Sequence, residues 1–425
     1  MKKYNIYFNR VILFLVNMIN SSDVLFKNKE FNLLLLSQAV SSIGDAFHFI
    51  AVVTLLVNLS GNGIAAAFGI IAYPFVSIMF SFLAGSIGDR FNPKFIMVVL
   101  DLARAILTFS FVFAKSIFVI YLLISILSVL DVLYAPSKRK ITMCIINKEG
   151  LLSANLILNG VLGATFVIGP TAAGIIIAFS GYPAAFAIKS ASCFVSAIIL
   201  AAVQIKNVNS KADSNIIKDI KEGCLYCAED KRLKFVIFIS SFLFAALTCI
   251  NISFYPYAFD VLRITPKSWS FMMSVYYGAS FITLIASGFI EKVLKDNFKG
   301  AVFFLVAILS VIWFSYGFTK EISTVFLLQA VEGLLSSLCL VIINTQLLVI
   351  SRKNFAARAT AVNDFFNNLG KLGGIALTYP LLRAFSVKYM FYIASIGLFL
   401  TVCLSNLVFI CSVKKGKSKS SLLRH

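Results

Sequence analysis

An ionisable side chain in the middle of a long apolar run is expensive to keep, so each one is a functional candidate. Asp45 lies near the middle of the run 33–58, with His48 three residues on and on the same helical face. Glu332 lies near the middle of the run 322–347. Desolvation disfavours the charged form of a carboxylate. Such a group can take a proton from one side of a barrier and release it to the other, or it can hold an organic cation. Asp45, His48 and Glu332 are therefore candidates for ion coupling or substrate contact, with a paired structural charge as the other reading. Asp101 and Arg104 sit one turn apart and are expected to neutralise one another. Lys189 and Lys371 have no obvious local partner, and for Lys371, two turns from Asp364, we expect an ion pair across helices.

A second constellation is the turn Gly85-Ser-Ile-Gly-Asp89-Arg90-Phe-Asn-Pro-Lys94. It is pinned between the apolar stretches Ile64 to Ala84 and Phe95 to Ala114. Charges concentrated where two such stretches meet water can act as a conformational latch. Small residues form a third set. Gly160, Gly163, Gly169, Pro170 and Gly174 are answered late in the chain by Gly370, Gly373, Gly374 and Pro380. Glycines let helices approach closely, and proline bends a helix by removing a backbone donor.

The elements that position these residues must live in a membrane. The chain has 425 residues, 60% of them hydrophobic and 13% charged. Its mean hydropathy is +0.92, which excludes an ordinary soluble domain. Apolar runs long enough to span, about 20 residues each, fall at 33–58, 64–87, 95–114, 117–136, 153–179, 183–205, 235–259, 269–290, 300–319, 322–347, 357–382 and 387–412. Lipid-exposed runs must satisfy their own backbone groups, so these are helices. The expected fold is an all-α polytopic membrane protein of twelve helices in two six-helix bundles.

The long polar stretch Gln204 to Lys234 divides the chain. Residues 1–32 read as a cytoplasmic segment with an interfacial helix around Val11 to Ile19. The two bundles take 33–205 and 235–412, with a cytoplasmic middle loop at 206–234 and a basic tail at 413–425. Gly288-Phe-Ile-Glu291-Lys292 faintly repeats the turn that begins at Gly85.

The net charge is +20, but it is not a nucleic-acid footprint. Alternate connections are rich in Lys and Arg and the intervening ones are poor, which puts both termini in the cytoplasm of a cell-membrane protein. The cysteines are scattered; Cys224-Leu-Tyr-Cys227 lacks the further ligands a zinc site needs. No glycine-rich phosphate loop and no Ser/His or metal-ligand cluster occurs in the sequence, so we expect no catalytic residue, cofactor or metal.

Gly85, Asp89, Arg90 and Lys94 match the pattern Gly-x-x-x-Asp-Arg-x-Gly-Arg-Lys, while Asn92 and Pro93 depart from it. Ser41 to Asp45, Asp101 to Arg104, Ala135-Pro136, Leu152 to Asn155 and Ile168-Gly169-Pro170 with Gly174 add to the likeness. On these residues the chain resembles the major facilitator superfamily, in the branch of enterobactin exporters and macrolide efflux proteins. That resemblance implies alternating access, with the first, fourth, seventh and tenth helices lining a central cavity. Asp45 and Glu332 would then face substrate. Asp131 would pair with Arg90 or Lys94, and Asp89 would cap the eleventh helix. The function implied is proton-coupled efflux of a small amphipathic molecule, such as a drug, macrolide or siderophore, by a monomer in the lipid bilayer. A lipid or lysophospholipid flippase, and a non-transporting membrane sensor or scaffold, are the alternatives.

Overall fold

The computed structural model describes residues 25–69, 72–80, 91–147, 150–205, 216–294, 298–352, 355–401 and 403. Among them no strand occurs. In chain order the helices are α1 (Lys29–Ser60), α2 (Gly63–Phe68, with a further helical stretch at 72–80 that completes its span), α3 (Pro93–Ser110), α4 (Ile117–Ile145) and α5 (Leu151–Ala202). There follow α6 (Ile216–Glu229), α7 (Lys231–Pro256), α8 (Pro266–Leu294), α9 (Phe298–Tyr316), α10 (Ile322–Ile350) and α11 (Ala356–Ala384). The last is α12 (Val387–Thr401). Among the described residues eight helices are long and apolar enough to cross a membrane; the apolar stretches Gly300–Tyr316 and Val387–Thr401 are shorter.

Local chemistry explains the boundaries. The Asn28 side chain caps α1 by accepting from the N–H groups of Glu30 (3.0 Å) and Phe31 (3.3 Å). The helix therefore starts four residues before the predicted run and stops at Gly61, whose φ of 71° suits glycine. Asn92 and Pro93, the two departures from the motif, serve as a helix start: the Asn92 carboxamide accepts from the Lys94 N–H at 3.0 Å and Pro93 takes the first turn of α3. The predicted break near 180 is Gly181, with φ 75° and ψ 168°, a bend inside α5. The polar middle segment holds a helix that hydropathy did not mark, α6, and Asp230 restarts the chain as α7 by accepting from the Arg232 N–H at 2.7 Å.

The chain forms two compact units, Met1–Ala212 with Ile264–Phe281, and Asp213–Arg263 with Ile282–His425. In the first, α1 and α3 lie along α5, and α4 lies beside α3. Leu34, Met97, Leu100, Tyr134, Ile141 and Leu200 form its main apolar cluster. In the second, α7 packs on α11, α9 on α10, and α6 on α11. Large apolar side chains such as Ile106, Ile168, Phe179, Val311 and Leu377 face outward, as a hydrocarbon solvent allows. The turn residues Gly85, Asp89 and Arg90, the run Val11 to Ile19 and the tail 413–425 lie outside the described residues.

Candidate functional site

In the first unit the buried charges form one network across four helices. Lys189 of α5 reaches Asp45 of α1, Nζ to Oδ1 at 2.6 Å, and its ammonium is 3.5 Å from the Ser41 carbonyl oxygen. Gly44 makes this approach possible, because a Cβ there would collide with Ser192 and with the Lys189 stem. Arg104 bridges two carboxylates, Asp101 at 3.1 Å and Asp131 of α4 at 2.6 Å, with its guanidinium 4.0 Å above the Tyr134 ring. Asp101 is fully buried and accepts a second bond from the Ser196 hydroxyl at 2.7 Å. Gln38 donates to the Tyr134 hydroxyl at 2.7 Å and ties α1 to α4.

The two cations are buried and two of their three anions are not. Side-chain exposure is 5% for Lys189 and 9% for Arg104, against 48% for Asp45 and 51% for Asp131. The positive charges are fixed inside the helix packing and present half-exposed carboxylates at its edge. This arrangement can exchange a counter-ion at the carboxylates without moving the cations.

His48 does not join it through a hydrogen bond. Its ring stands edge-on to Phe111 at 5.1 Å and to Phe186 at 5.7 Å, and its Nδ1 is buried without a hydrogen-bond partner. Asp131 is held by Arg104; Arg90, one of its two expected partners, lies outside the described residues. The forked guanidinium can serve Asp101 and Asp131 at once, as an ammonium cannot. Lys94 lies half-buried in the first turn of α3.

Glu332 sits in the second unit. Its carboxylate is 3% exposed and surrounded by donors. Trp313 Nε1 donates to Oε1 at 2.8 Å, and the Tyr316 hydroxyl to Oε2 at 2.7 Å, both from α9. Gln329 Nε2 is 3.3 Å from Oε2 and 3.0 Å from the Tyr316 hydroxyl. Three donors satisfy the carboxylate where water cannot reach, which turns it toward α9. Lys371, expected in a cross-helix ion pair, lies 4.9 Å from the Phe244 ring centroid and donates to the Asn368 side-chain oxygen Oδ1 at 3.3 Å.

The small residues divide. A Cβ on Gly163 would strike the Phe281 ring, on Gly169 Ala46, and on Gly174 Ser270. Beyond Pro170, Thr171 donates its backbone N–H to the Ser274 hydroxyl at 3.1 Å. On α11, Gly370 and Gly374 abut the carbonyl oxygens of Ser241 and Ala245 on α7, whereas Gly373 and Gly160 have nothing within 4 Å. The partner of Lys189, the close approach at Gly44 and the donors around Glu332 escaped the sequence reading. Only Lys189 carried a signal, as a lone cation in an apolar run.

Helices throughout the described residues, eight of them of membrane length, define a polytopic membrane protein. The transmembrane secretion effector profile of the major facilitator superfamily matches residues 21–424, and the chain belongs to that family. The uncharacterised MFS-type transporter YfiS of Bacillus subtilis (strain 168) is 28% identical over 178 residues, 41% of this chain and 43% of the relative. Macrolide efflux protein A of Streptococcus pyogenes is 22% identical over 241 residues, 54% of this chain and 58% of the relative. The matches thus span about half the length of these curated relatives. Among solved structures, the nucleoside transporter NupG is similar with a TM-score of 0.68 at 13% identity, covering 90% of this chain and 99% of that one. A bacterial homologue of the human lysosomal transporter Spinster, inward-facing and unoccupied, gives 0.65 at 13% identity, covering 89% and 95%. These likenesses show the fold.

Proposed function

We propose that this chain is a secondary active exporter of an amphipathic organic molecule, driven by protons and working as a monomer by alternating access. It has twelve membrane helices as two six-helix bundles, with both termini in the cytoplasm of a cell-membrane protein. The observation that carries the reading is the pair of half-exposed carboxylates, Asp45 and Asp131, each bonded to a buried cation. Leaving the anion at the edge spares part of its desolvation, and it also leaves the carboxylate open to a competitor. A carrier gains a site where a proton or a substrate group can compete for the carboxylate. Family membership and the efflux named for the Streptococcus pyogenes relative support export of a drug-like or macrolide-like molecule.

Glu332 is a second proton site in this reading. It is a buried acid held by neutral donors, with no cation bonded to it among the described residues. The turn from Gly85 to Lys94 is the proposed cytoplasmic latch, and Asp131, bonded to Arg104, is its proposed partner. The test is substrate flux in inside-out vesicles with an imposed pH gradient, against dyes, macrolides and siderophores. Accumulation that collapses with the gradient supports the proposal. Movement of labelled lipid by the purified protein would favour the flippase. No flux of any kind, with Asp45→Asn and Glu332→Gln both tolerated in the host, would point to a sensor or scaffold.

A further inference from the structure

The helix α6, in the middle segment of the chain, grips the connection between α10 and α11 with one face. The Glu222 carboxylate accepts from Arg358 Nη1 at 2.8 Å. Gly223 lets the helices touch, since a Cβ there would press on the Arg358 Cβ and on Val362. The Tyr226 hydroxyl accepts the Arg352 N–H at 2.9 Å, and the Tyr226 ring stacks on Phe355 at 4.5 Å and 21°. Arg358 in turn lies 5.3 Å from the Phe355 centroid. Positions 222, 223, 226 and 227 form one helical stripe. Cys227 is buried on that stripe, whereas Cys224 and Leu225 are exposed.

The start of α11 needs this help. It has no side-chain cap and no acid in its first turn, yet it carries Arg358 there. A cation at a helix N-terminus opposes the macrodipole, and uncapped N–H groups fray. Glu222 supplies from α6 the negative charge that α11 lacks. The contact is half-exposed, 33% for Arg358 and 40% for Glu222, so it is weak enough to open.

We propose that α6 is a releasable strap: docked, it holds Arg352 and residues 355–362 in place and completes the first turn of α11; released, it lets that turn unwind. The strap is a property of the second unit and holds whichever substrate the protein carries.

Cys227 reports docking directly. Its thiol is covered, and burial pushes it up to about 11, while the thiolate is the reactive form. The full-length protein in detergent, with cysteine kept only at 227 or only at 224, is labelled with a maleimide, and exchange of residues 352–358 is followed by hydrogen–deuterium mass spectrometry. We expect Cys227 to label about tenfold more slowly than Cys224, as a locally protected site does. Glu222→Gln should raise the Cys227 rate about threefold, and Tyr226→Ala about tenfold. Both should speed exchange at 352–358. The reversed pair, Glu222→Arg with Arg358→Glu, should restore the slow Cys227 rate that Arg358→Glu alone loses. Three results would overturn the strap: equal labelling of Cys227 and Cys224, single variants that change neither readout, or a reversed pair no slower than Arg358→Glu.

Discussion

Removing Asp45 and removing Lys189 should not cost the same, although each breaks the same 2.6 Å bond. Asp45→Asn strands an ammonium that is 5% exposed, whereas Lys189→Met leaves behind a carboxylate that is 48% exposed and can hydrate. Breaking a buried pair by removing one partner costs about 3–5 kcal/mol. Half of the Asp45 side chain is already in contact with its surroundings, which screens the pair, so about 3 kcal/mol is appropriate for Asp45→Asn. Lys189→Met keeps the volume of the stem against Gly44 and costs about 1 kcal/mol. In the double variant no charge is stranded, and the cost returns to about 1 kcal/mol, a coupling of about 3 kcal/mol. For a cooperative unit of this size, Asp45→Asn corresponds to a fall of about 6–12 °C in Tm. Thermal unfolding of purified protein, followed by fluorescence-detected size exclusion, measures all three variants. If Lys189→Met destabilises as much as Asp45→Asn, or if the two effects simply add, the buried-cation asymmetry is refuted.

Arg104→Lys should destabilise by about 2 kcal/mol, because an ammonium cannot reach Asp101 and Asp131 with the planar fork that now bridges them; a melt within about 0.5 kcal/mol of wild type would show the fork is dispensable. Gly374→Ala should cost about 2 kcal/mol or more by pushing a methyl onto the Ala245 carbonyl. Gly373→Ala, in open space, should be neutral or stabilising by up to about 1 kcal/mol, and a comparison of the two melts checks both. Glu332→Gln turns an amide donor toward Tyr316 or Trp313, costs about 1–3 kcal/mol, and should flatten the pH dependence of flux; an unchanged pH profile would remove Glu332 from proton coupling. Asp89→Asn should slow transport without loss of expression, and wild-type flux in a well-expressed variant would remove the latch.

Much of the architecture was legible in the residues alone. The cost of placing backbone and charge in hydrocarbon depends on residue type and run length, so apolar runs mark helices. The same cost marks Asp45, Asp101, Arg104, Lys189 and Glu332 as charges that need a reason. Local chemistry fixes boundaries that run length alone did not mark: Asn28 caps α1, Asn92-Pro93 starts α3 and Gly181 bends α5. The helix α6 was not legible, because its amphipathic stripe is short and its gripping residues are polar.

Partnership is what the tertiary structure decided. Lys189 is 144 residues from Asp45 along the chain, and no periodicity links them; they meet because Gly44 lets α1 and α5 touch. Asp131 could have taken any nearby cation, and it takes Arg104 because a guanidinium on α3 can bridge two carboxylates across a helix contact. Glu332 was visible as a buried acid, but the direction it faces follows from Trp313 and Tyr316, whose donors are worth more to a desolvated carboxylate than an open cavity wall. Residue type sets the price of burying a charge; only packing across helices settles which neighbour offsets it.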